Sequence, residues 1–237
     1  VGVGTVYVYD EDLSKDTIEI TVSKDSNVIL LYYVPEDSYD GTIAYFSFEN
    51  ETTGFTGGLA KAIPVGTYTL STDSVSGKSL YLDRGNYLEV KNLFDESLLT
   101  GFEEITVSFY SKVDTISTGD PNWPFFAAPD ASEQQYPYEK YIAVLEQNNR
   151  IVVERYYNFG SRPGAISVGN TTDWKHVAVV FSKDGTTLYV NGIPTGNDVN
   201  YDLRTILGNE SVLYIGKATW TASGEYFRGY IDDYKIF

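Results

Sequence analysis

The sequence contains no cysteine and no methionine, and it has one histidine among its 237 residues. Without cysteine, neither a disulfide framework nor a thiolate metal site is available. No stretch approaches the roughly 18 consecutive apolar residues of a membrane-spanning helix, so membrane insertion is not expected. Basic residues are also scarce, 17 against 33 acidic ones, which gives a formal net charge of −16. A chain this negative repels nucleic acid backbones and acidic membranes, so neither is an expected partner.

Short segments of alternating polarity, separated by turn signals, make up most of the chain, and helical periodicity is almost absent. Ile105–Val113 and Lys175–Ser182 alternate clearly, which is typical of strands with one buried face. Asp184-Gly185 and Asn191-Gly192 favour tight turns, because these residue types tolerate positive φ. The pattern predicts an all-β fold built as a two-sheet antiparallel sandwich.

Three further segments carry local predictions. The turn signal at Arg84-Gly85 predicts a hairpin that joins Ser79–Asp83 to Asn86–Val90. Leu93–Leu99 predicts a single helical turn. The stretch from Ser117 to Lys140 is rich in aromatic residues, and we interpret it as a long loop, which in a compact sandwich is usually functional or mobile.

Three motifs near the C-terminus carry a family resemblance. They are Trp174-Lys175-His176-Val177-Ala178-Val179, Thr187-Leu188-Tyr189-Val190-Asn191-Gly192 and Gly229-Tyr230-Ile231-Asp232-Asp233. In this order they resemble the closing strands of the laminin-G-like branch of the concanavalin A-like jelly rolls. The resemblance covers Thr42 to Phe237 and implies a jelly-roll domain over residues 41–237. It also implies a module of a kind that more often binds glycans than cleaves them.

Residues 1–40 are predicted to form a small β-strand attachment of their own. Alternation predicts strands at Thr5–Tyr9, Thr17–Val22 and Val28–Val34, followed by a linker at Pro35–Gly41. The segment is similar to the tail of small β-repeat modules on surface proteins of Gram-positive bacteria. That resemblance implies a piece of a long extracellular protein, secreted or held at the cell surface, with other modules of the same polypeptide as partners. The alternative is that these strands extend the main sandwich.

No catalytic residue is predicted. Glycosidases with this fold carry two or three carboxylates at alternate positions on one strand, so that they share a face, and no such motif is present. The best available pair is Glu146 with Glu154, on neighbouring predicted strands. His176 has no sequence partner typical of nucleophilic catalysis, so a structural role is expected.

A structural calcium ion is the best ionic hypothesis, because Ca²⁺ takes oxygen ligands from acidic side chains and loop carbonyls. The family resemblance implies such an ion at one rim, where the first and last strands lie side by side. The predicted ligands there are Glu49, Asn50, Asp83 and Asp232. The alternative is that Asp232 and Asp233 only flank the last strand and meet solvent or Arg228.

Sugar binding needs aromatic rings for the C–H faces and polar groups for the hydroxyls. The predicted ligand-binding residues combine both types, and they are Arg155, Tyr157, Glu146, Tyr110, Trp123 and Trp220. Glu146 is expected to meet Arg155 across the sheet. The alternative for the two tryptophans is that they cap the ends of the hydrophobic core.

These observations predict a non-catalytic, lectin-like module that binds an oligo- or polysaccharide. The resemblance implies attachment to a glycan-degrading enzyme or an adhesin. Two alternatives remain open: a structural or protein-binding spacer of a surface protein, and a concanavalin A-like glycoside hydrolase or lyase. A binder requires exposed aromatic rings beside polar groups in a concave surface, whereas a hydrolase requires carboxylates roughly 5–10 Å apart in a groove.

Overall fold

The computed structural model describes residues 2–9, 15–22, 41–51, 54–116, 118–132, 139–157, 166–169, 171–198, 203–220 and 225–237. The chain divides into two units, Val1–Gly41 and Thr42–Phe237. In the first unit, strands β1 (Gly2–Tyr9) and β2 (Lys15–Val22) pair antiparallel. The predicted third strand and linker residues 35–40 lie outside the described part of the chain.

The second unit is built from sixteen described strands and one short helix, α1 (Leu203–Leu207). In chain order the strands are β3 (Ala44–Phe46), β4 (Thr56–Gly57), β5 (Ala60–Val65), β6 (Thr69–Ser71), β7 (Ser79–Leu82), β8 (Tyr87–Asn92), β9 (Ile105–Val113), β10 (Asn122–Ala128), β11 (Lys140–Gln147), β12 (Arg150–Tyr157), β13 (Ile166–Val168), β14 (Lys175–Ser182), β15 (Gly185–Val190), β16 (Ile193–Asp198), β17 (Val212–Ile215) and β18 (Gly229–Ile236). No helix in the described ranges has the length and apolar character that crossing a membrane requires.

The strands form two antiparallel sheets. Sheet 1 has the order β13-β12-β11-β10-β17-β8-β5-β4, and sheet 2 has the order β16-β15-β14-β9-β18-β7-β6, with β3 paired to β18. Their facing surfaces enclose one core, which confirms the predicted two-sheet jelly-roll sandwich. The predicted helical turn at Leu93–Leu99 is wrong, because turns and bends occupy that segment.

The strands of sheet 2 bury one face, as their alternation predicts. In β9, Ile105, Val107 and Phe109 point into the core, and the residues between them are partly exposed. The same alternation in β14 buries Val177 and Val179. Sheet 2 therefore has an apolar inner face and a more polar outer face.

The predicted hairpin around Arg84-Gly85 is wrong. β7 lies in sheet 2 beside β18, whereas β8 lies in sheet 1 between β5 and β17. Residues 83–86 form a corner between the sheets, and the Asn86 amide N donates to the Asp83 carbonyl at 3.1 Å. The Asn86 side chain also accepts a 2.7 Å hydrogen bond from the Thr67 amide, which ties the corner to a neighbouring loop. Alternation reports which face of a strand is buried but not the sheet it joins, so the sequence did not separate a corner from a hairpin.

The predicted loop from Ser117 to Lys140 is also wrong over β10. All seven residues of β10 are buried, and the strand lies in the middle of sheet 1 between β11 and β17. Because both of its faces are covered, the strand shows no polar alternation. Pro124 also argues against a central strand, because proline cannot donate a backbone hydrogen bond, and the pairing with β11 is irregular between Asn122 and Phe125.

Replacing Gly229 with alanine should strongly destabilise the sandwich. Gly229 has φ +148°, and an added Cβ would lie 2.2 Å from the Lys112 carbonyl oxygen and 2.8 Å from the Val113 Cα, both in the paired backbone of β9. We expect urea unfolding to show a loss of about 3 kcal/mol. Gly192→Ala is the matched control, because Gly192 has φ +78° with nothing within 4 Å, so only backbone strain of about 1–2 kcal/mol is expected. Equal losses in the two variants would contradict the close approach of β18 to β9.

Candidate functional site

Sheet 1 carries a second hydrophobic cluster, separate from the core between the sheets. Phe126 of β10 pairs with Tyr214 of β17, and Tyr141 of β11 pairs with Tyr156 of β12, so their rings share one face. Neighbouring rings stack, with centroids 5.3 Å apart for Phe126 and Tyr141 and 5.5 Å apart for Tyr141 and Tyr156. All four side chains are almost fully buried, although they lie on the outer face of the sheet.

Two tryptophans lie over this cluster. The rings of Trp123 and Trp220 stack with centroids 5.5 Å apart and planes inclined by 30°. Trp220 also meets Phe126 and Tyr141 edge to face, at 5.4 and 5.3 Å. Trp220 follows β17, and its ring is only partly buried. Trp123 is itself buried, with 4% of its surface exposed. Both tryptophans pack with the outer cluster and not at the ends of the core between the sheets, where the capping alternative placed them.

A cavity of about 270 Å³ opens beside the tryptophan pair, and we call it the tryptophan pocket. Its apolar lining comes from Pro121, Trp123, Leu145 and Trp220. Its polar lining comes from Gln147, Glu154 and Glu225. Strands β11 and β12 therefore supply one wall, and the segment after β17 supplies another.

Aromatic donors position both carboxylates of the tryptophan pocket. The Trp123 Nε1–H donates to Glu225 Oε2 at 3.0 Å, and the Tyr141 hydroxyl donates to Glu154 Oε2 at 2.6 Å. Aromatic faces beside fixed acceptors are the combination that sugar rings require, because C–H groups stack on the rings and hydroxyls donate to the oxygens. Glu225 was not among the predicted site residues, because it lies in a polar stretch without a pattern. Glu154 was considered only as a possible catalytic partner of Glu146.

A larger cavity, of about 720 Å³, lies elsewhere on the second unit. Its lining includes Glu89 and Asp95, which form ion pairs with Lys91 and Lys61 at 3.3 and 2.9 Å. Among its described lining residues, Phe102 alone has an aromatic ring. We take the smaller pocket as the candidate site, since it combines two indole rings with carboxylates.

Glu146, a predicted ligand-binding residue, lies inside the sandwich. Its carboxylate accepts a 2.7 Å hydrogen bond from the Ser111 hydroxyl and pairs with Lys175 Nζ at 3.0 Å. The side chains of Glu146 and Lys175 are only 1% and 4% exposed. Because Glu146 belongs to sheet 1 and both partners to sheet 2, these contacts bridge the two sheets.

Arg155 makes a second bridge and is also buried. Its guanidinium donates from Nη2 to the Ser182 carbonyl at 2.7 Å and from Nη1 to the Thr186 hydroxyl at 3.3 Å, both in sheet 2. The expected contact between Arg155 and Glu146 is wrong, because Arg155 lies opposite Ile142 and Glu146 lies opposite Ile151. A lone arginine among apolar residues needs a partner, and here the opposite sheet supplies it rather than an exposed surface.

The register of β11 and β12 also separates Glu146 from Glu154, which the sequence offered as the best catalytic pair. In the paired strands β11 and β12, Glu146 faces the core between the sheets, whereas Glu154 faces outwards beside the Tyr141 hydroxyl. Carboxylates on opposite faces of one sheet cannot flank a single glycosidic bond, so these two do not form a glycosidase pair.

The structure places the two predicted tyrosines away from the tryptophan pocket. Tyr157 is half-buried against the core between the sheets, and Lys140 Nζ lies 5.0 Å from its ring centre. Tyr110 lies on sheet 2 beside His176, with ring centroids 4.9 Å apart. The His176 Nε2 lies 2.9 Å from the Ser108 hydroxyl, and burial, helped by Lys235, lowers the pKa of His176. Of the six predicted ligand-binding residues, the pocket brings together Trp123 and Trp220.

Two of the four predicted calcium ligands hold the loop that precedes β7. Asp232 Oδ2 accepts hydrogen bonds from the Val75 and Ser76 amides at 2.8 and 3.1 Å, and Glu49 Oε2 accepts one from the Lys78 amide at 3.1 Å. Burial raises the pKa of Asp232, and the hydrogen bonds from these amides oppose that effect. Both carboxylates thus already accept hydrogen bonds from backbone amides.

The other two predicted ligands differ in position. Asn50 directly follows Glu49, and its carbonyl accepts a 3.1 Å hydrogen bond from Gly54. Asp83 lies at the opposite end of β7 from Lys78 and pairs with Arg228 at 3.2 Å. The four residues therefore do not fit one ion as a set, and the described ranges hold no group of three acidic, histidine or cysteine side chains arranged for a metal.

The comparisons with known proteins agree with this architecture. Residues 82–237 match the sequence model of the concanavalin A-like lectin/glucanases superfamily, Laminin_G_3. No curated protein sequence matches the chain. The resemblance of residues 1–40 to a β-repeat module therefore stays a prediction.

Solved structures of similar fold include domain 4 of AbnA, a GH43 extracellular arabinanase from Geobacillus stearothermophilus, in complex with arabinotriose. It is 20% identical with a TM-score of 0.58, over 82% of this chain and 91% of that one. The CBM40 of a Ruminococcus gnavus IT-sialidase, bound to α2,3-sialyllactose, is 10% identical with a TM-score of 0.53, over 67% and 88%. The botulinum neurotoxin serotype C1 binding domain is 16% identical with a TM-score of 0.58, over 84% of this chain but 48% of that one. These likenesses establish the fold alone.

Replacing one partner of the buried Glu146–Lys175 ion pair should destabilise the protein far more than replacing both partners with apolar residues. Glu146→Gln leaves the Lys175 ammonium buried without its counter-charge, so urea unfolding should show a loss of about 3–5 kcal/mol. Replacing both residues together, Glu146→Leu with Lys175→Met, should cost much less than the two single changes summed. Glu103→Gln is the matched control, because Glu103 pairs with Arg204 at 3.0 Å on the surface, with more than half of each side chain exposed. The control should lose less than about 1 kcal/mol. Similar losses for Glu146→Gln and the control would contradict a bridging role.

Proposed function

Since the chain belongs to the concanavalin A-like lectin/glucanase superfamily, we propose that it is a non-catalytic, lectin-like carbohydrate-binding module of an extracellular bacterial multi-module protein. The observation that carries this proposal is the tryptophan pocket, in which the Trp123–Trp220 stack lies beside the Glu154 and Glu225 carboxylates. Indole faces beside fixed acceptors form a platform for sugar C–H groups and a set of partners for sugar hydroxyls.

The size of the pocket favours a short glycan segment. Small-molecule sites usually measure about 300–1,000 Å³, and this pocket, of about 270 Å³, lies just below that range. It suits one or two sugar units, for which a single site gives weak binding. Weak modules of this kind bind effectively when several copies are linked, or when a linked domain holds them near their ligand, because linkage raises the effective concentration. This agrees with the proposed multi-module parent protein.

The proteins of similar fold support a glycan-binding role in an extracellular setting. One is a domain of an extracellular arabinanase in complex with arabinotriose, and another is a sialidase module bound to sialyllactose. We therefore propose a parent protein that degrades glycans or adheres to them. The placement of Glu146 and Glu154 on opposite faces of sheet 1 supports a binding role over a hydrolytic one.

Replacing Trp220 with alanine should weaken glycan binding. Trp220 is a partly exposed ring of the pocket, so its loss removes a stacking surface for the ligand. Alanine substitution of an aromatic residue that stacks on a nucleobase costs about 1–3 kcal/mol, and a similar loss here would lower the affinity roughly five- to 150-fold. Binding is measured by a glycan array and then by calorimetry with the strongest ligand, alongside the thermal midpoint as a folding check.

Tyr110→Ala is the control for this experiment. Tyr110 is a partly exposed aromatic residue on sheet 2, so its loss should leave the affinity unchanged. Loss of binding in Tyr110→Ala but not in Trp220→Ala would move the site to sheet 2. An array without any signal would reject the proposed function and favour a spacer or protein-binding module.

We also propose that Ca²⁺ binds at the rim beside the loop that precedes β7, with Glu49, Asn50 and Asp232 as ligands. Its role would be to hold that loop, since Glu49 and Asp232 approach it from two elements. Asp83 is no longer included, because it pairs with Arg228.

A chelator tests the calcium proposal. EDTA should lower the thermal midpoint by several degrees, roughly the effect of 1–2 kcal/mol in a domain of this size. The shift should disappear in Glu49→Gln, which removes one ligand charge. An unchanged midpoint in the native protein rejects the ion.

A further inference from the structure

We propose that the outer face of sheet 2 carries a second glycan-binding surface, which takes a segment of a single, extended polysaccharide chain. The surface is formed by the rings of Trp174, Tyr230 and Tyr81, and we call it the aromatic strip. This surface goes beyond the proposed function, because it lies on the other sheet from the tryptophan pocket and shares none of the pocket's described lining residues.

The three rings of the aromatic strip form a line across sheet 2. In the register of the strands, Tyr230 of β18 lies opposite Tyr81 of β7 on one side and opposite Lys112 of β9 on the other. Trp174 directly precedes β14, which pairs with β9 on the side away from β18. The ring centroid of Tyr230 lies 4.9 Å from that of Tyr81 and 6.2 Å from that of Trp174. All three side chains are partly exposed, so a ligand outside the sandwich can contact them.

Asp73 and Lys112 border the aromatic strip at Trp174. The Trp174 Nε1–H donates to Asp73 Oδ1 at 2.9 Å, and Lys112 Nζ donates to Asp73 Oδ2 at 2.5 Å. Lys112 Nζ also lies 5.5 Å from the ring centre of Tyr230. Asp73 belongs to the loop that precedes β7, which Asp232 holds through two backbone amides. The acceptor beside Trp174 is therefore fixed before a ligand enters.

A second group of polar side chains borders the aromatic strip at Tyr81. The Tyr81 hydroxyl donates to Asp114 Oδ2 at 3.0 Å. Arg228 Nε lies 3.2 Å from that same oxygen and 3.2 Å from Asp83 Oδ1. Each end of the strip thus combines a cation, which donates hydrogen bonds, with carboxylate oxygens, which accept them.

This combination is complementary to a sugar chain. The C–H faces of sugar units pack on aromatic rings, and each hydroxyl both donates and accepts hydrogen bonds, so cations and carboxylates beside the rings can both bind it. An anionic polymer fits less well, because it would have to compete with carboxylates that Lys112 and Arg228 already contact. The strip therefore favours a polysaccharide recognised through its hydroxyls.

The tilt of the rings favours a soluble chain over a crystalline surface. The ring plane of Tyr230 is inclined by 50° to that of Tyr81 and by 54° to that of Trp174. A flat crystalline face contacts several rings only when they are coplanar, whereas a single chain can turn from one sugar unit to the next. Rings in a line with this tilt are therefore suited to successive units of one chain.

The indole N–H signals in a nuclear magnetic resonance spectrum test the inference, because the chain has three tryptophans, two in the tryptophan pocket and one in the aromatic strip. Xylohexaose and cellohexaose are titrated into the isotope-labelled native protein and into Trp220→Ala, and Trp174→Phe assigns the signal of the strip. We expect one of these probes to shift the Trp174 signal, with saturation, in both proteins. Microcrystalline cellulose should not pull down Trp220→Ala.

Substitutions of Tyr230 assign the binding to the aromatic strip. Tyr230→Ala should lower the affinity reported by the Trp174 signal at least fivefold, because it removes a stacked ring. Tyr230→Phe keeps the ring and should bind as the native protein does. Tyr110→Ala is the matched control, because it removes a partly exposed ring of the same face that contacts His176 and lies outside the strip. The thermal midpoint checks folding, and Tyr81→Ala replaces Tyr230→Ala if that variant does not fold.

The outcomes separate this inference from the proposed function. A Trp174 signal that neither probe moves overturns the inference, and shifts of the other two indole signals would leave the proposed function standing. A shift that persists at the same affinity in Tyr230→Ala and Tyr81→Ala overturns it as well. Dimerisation in sedimentation velocity that Tyr230→Ala abolishes would place a second copy of the chain on the strip and also overturn it. A shift of the Trp174 signal alone supports the strip and rejects the tryptophan pocket.

Discussion

Around β10, β11 and β12, sheet 1 carries apolar side chains on both of its faces, and the arrangement of the second unit depends on how the outer cluster is shielded from water. Phe126, Tyr141 and Tyr156 are almost fully buried there although they point away from the core. Burial of large aromatic side chains is among the strongest contributions to folding, so the sheet needs a cover on that side. The segment after β17 provides part of it through Trp220. The pocket opens beside this cover, so the rings that shield the cluster also form one wall of the pocket.

The interior of the sandwich shows why charged residues were misleading guides to a binding surface. Moving a carboxylate or a guanidinium out of water is costly unless close partners compensate. Glu146 and Arg155 have such partners in sheet 2, namely Lys175 with Ser111, and Thr186 with the Ser182 carbonyl. The strand alternation that points Arg155 inwards points Glu154 outwards to the pocket. Adjacent residues of β12 therefore serve two different surfaces of the same sheet.

Strands that bury one face were predicted correctly from the sequence, whereas a strand that buries both faces was missed. β9 and β14 bury one face, and their predicted bounds, Ile105–Val113 and Lys175–Ser182, agree with the structure. β10 buries both faces and was interpreted as a loop, because its aromatic residues show no alternation. Trp123 was recognised as a candidate ligand residue from the aromatic-rich stretch around it, and Trp220 from a polar turn. Their stacking could not be predicted, because the two residues are distant in sequence. Glu225 carried no local signal, since the fold brings it to Trp123, which is 102 residues away in the sequence.

The outer faces of the two sheets carry different side chains, and this difference identifies the candidate site, which the fold alone does not. On sheet 2, partly exposed tyrosine, histidine and serine side chains such as Tyr110, His176 and Ser108 contact one another and form no described cavity. On sheet 1, the covered aromatic cluster leaves a recess whose walls hold indole rings and carboxylates. Proteins of the same architecture have been solved with ligands as different as arabinotriose and a sialylated sugar. The shared fold therefore does not specify a ligand, and what distinguishes the outer face of sheet 1 is the pair of tryptophans beside Glu154 and Glu225.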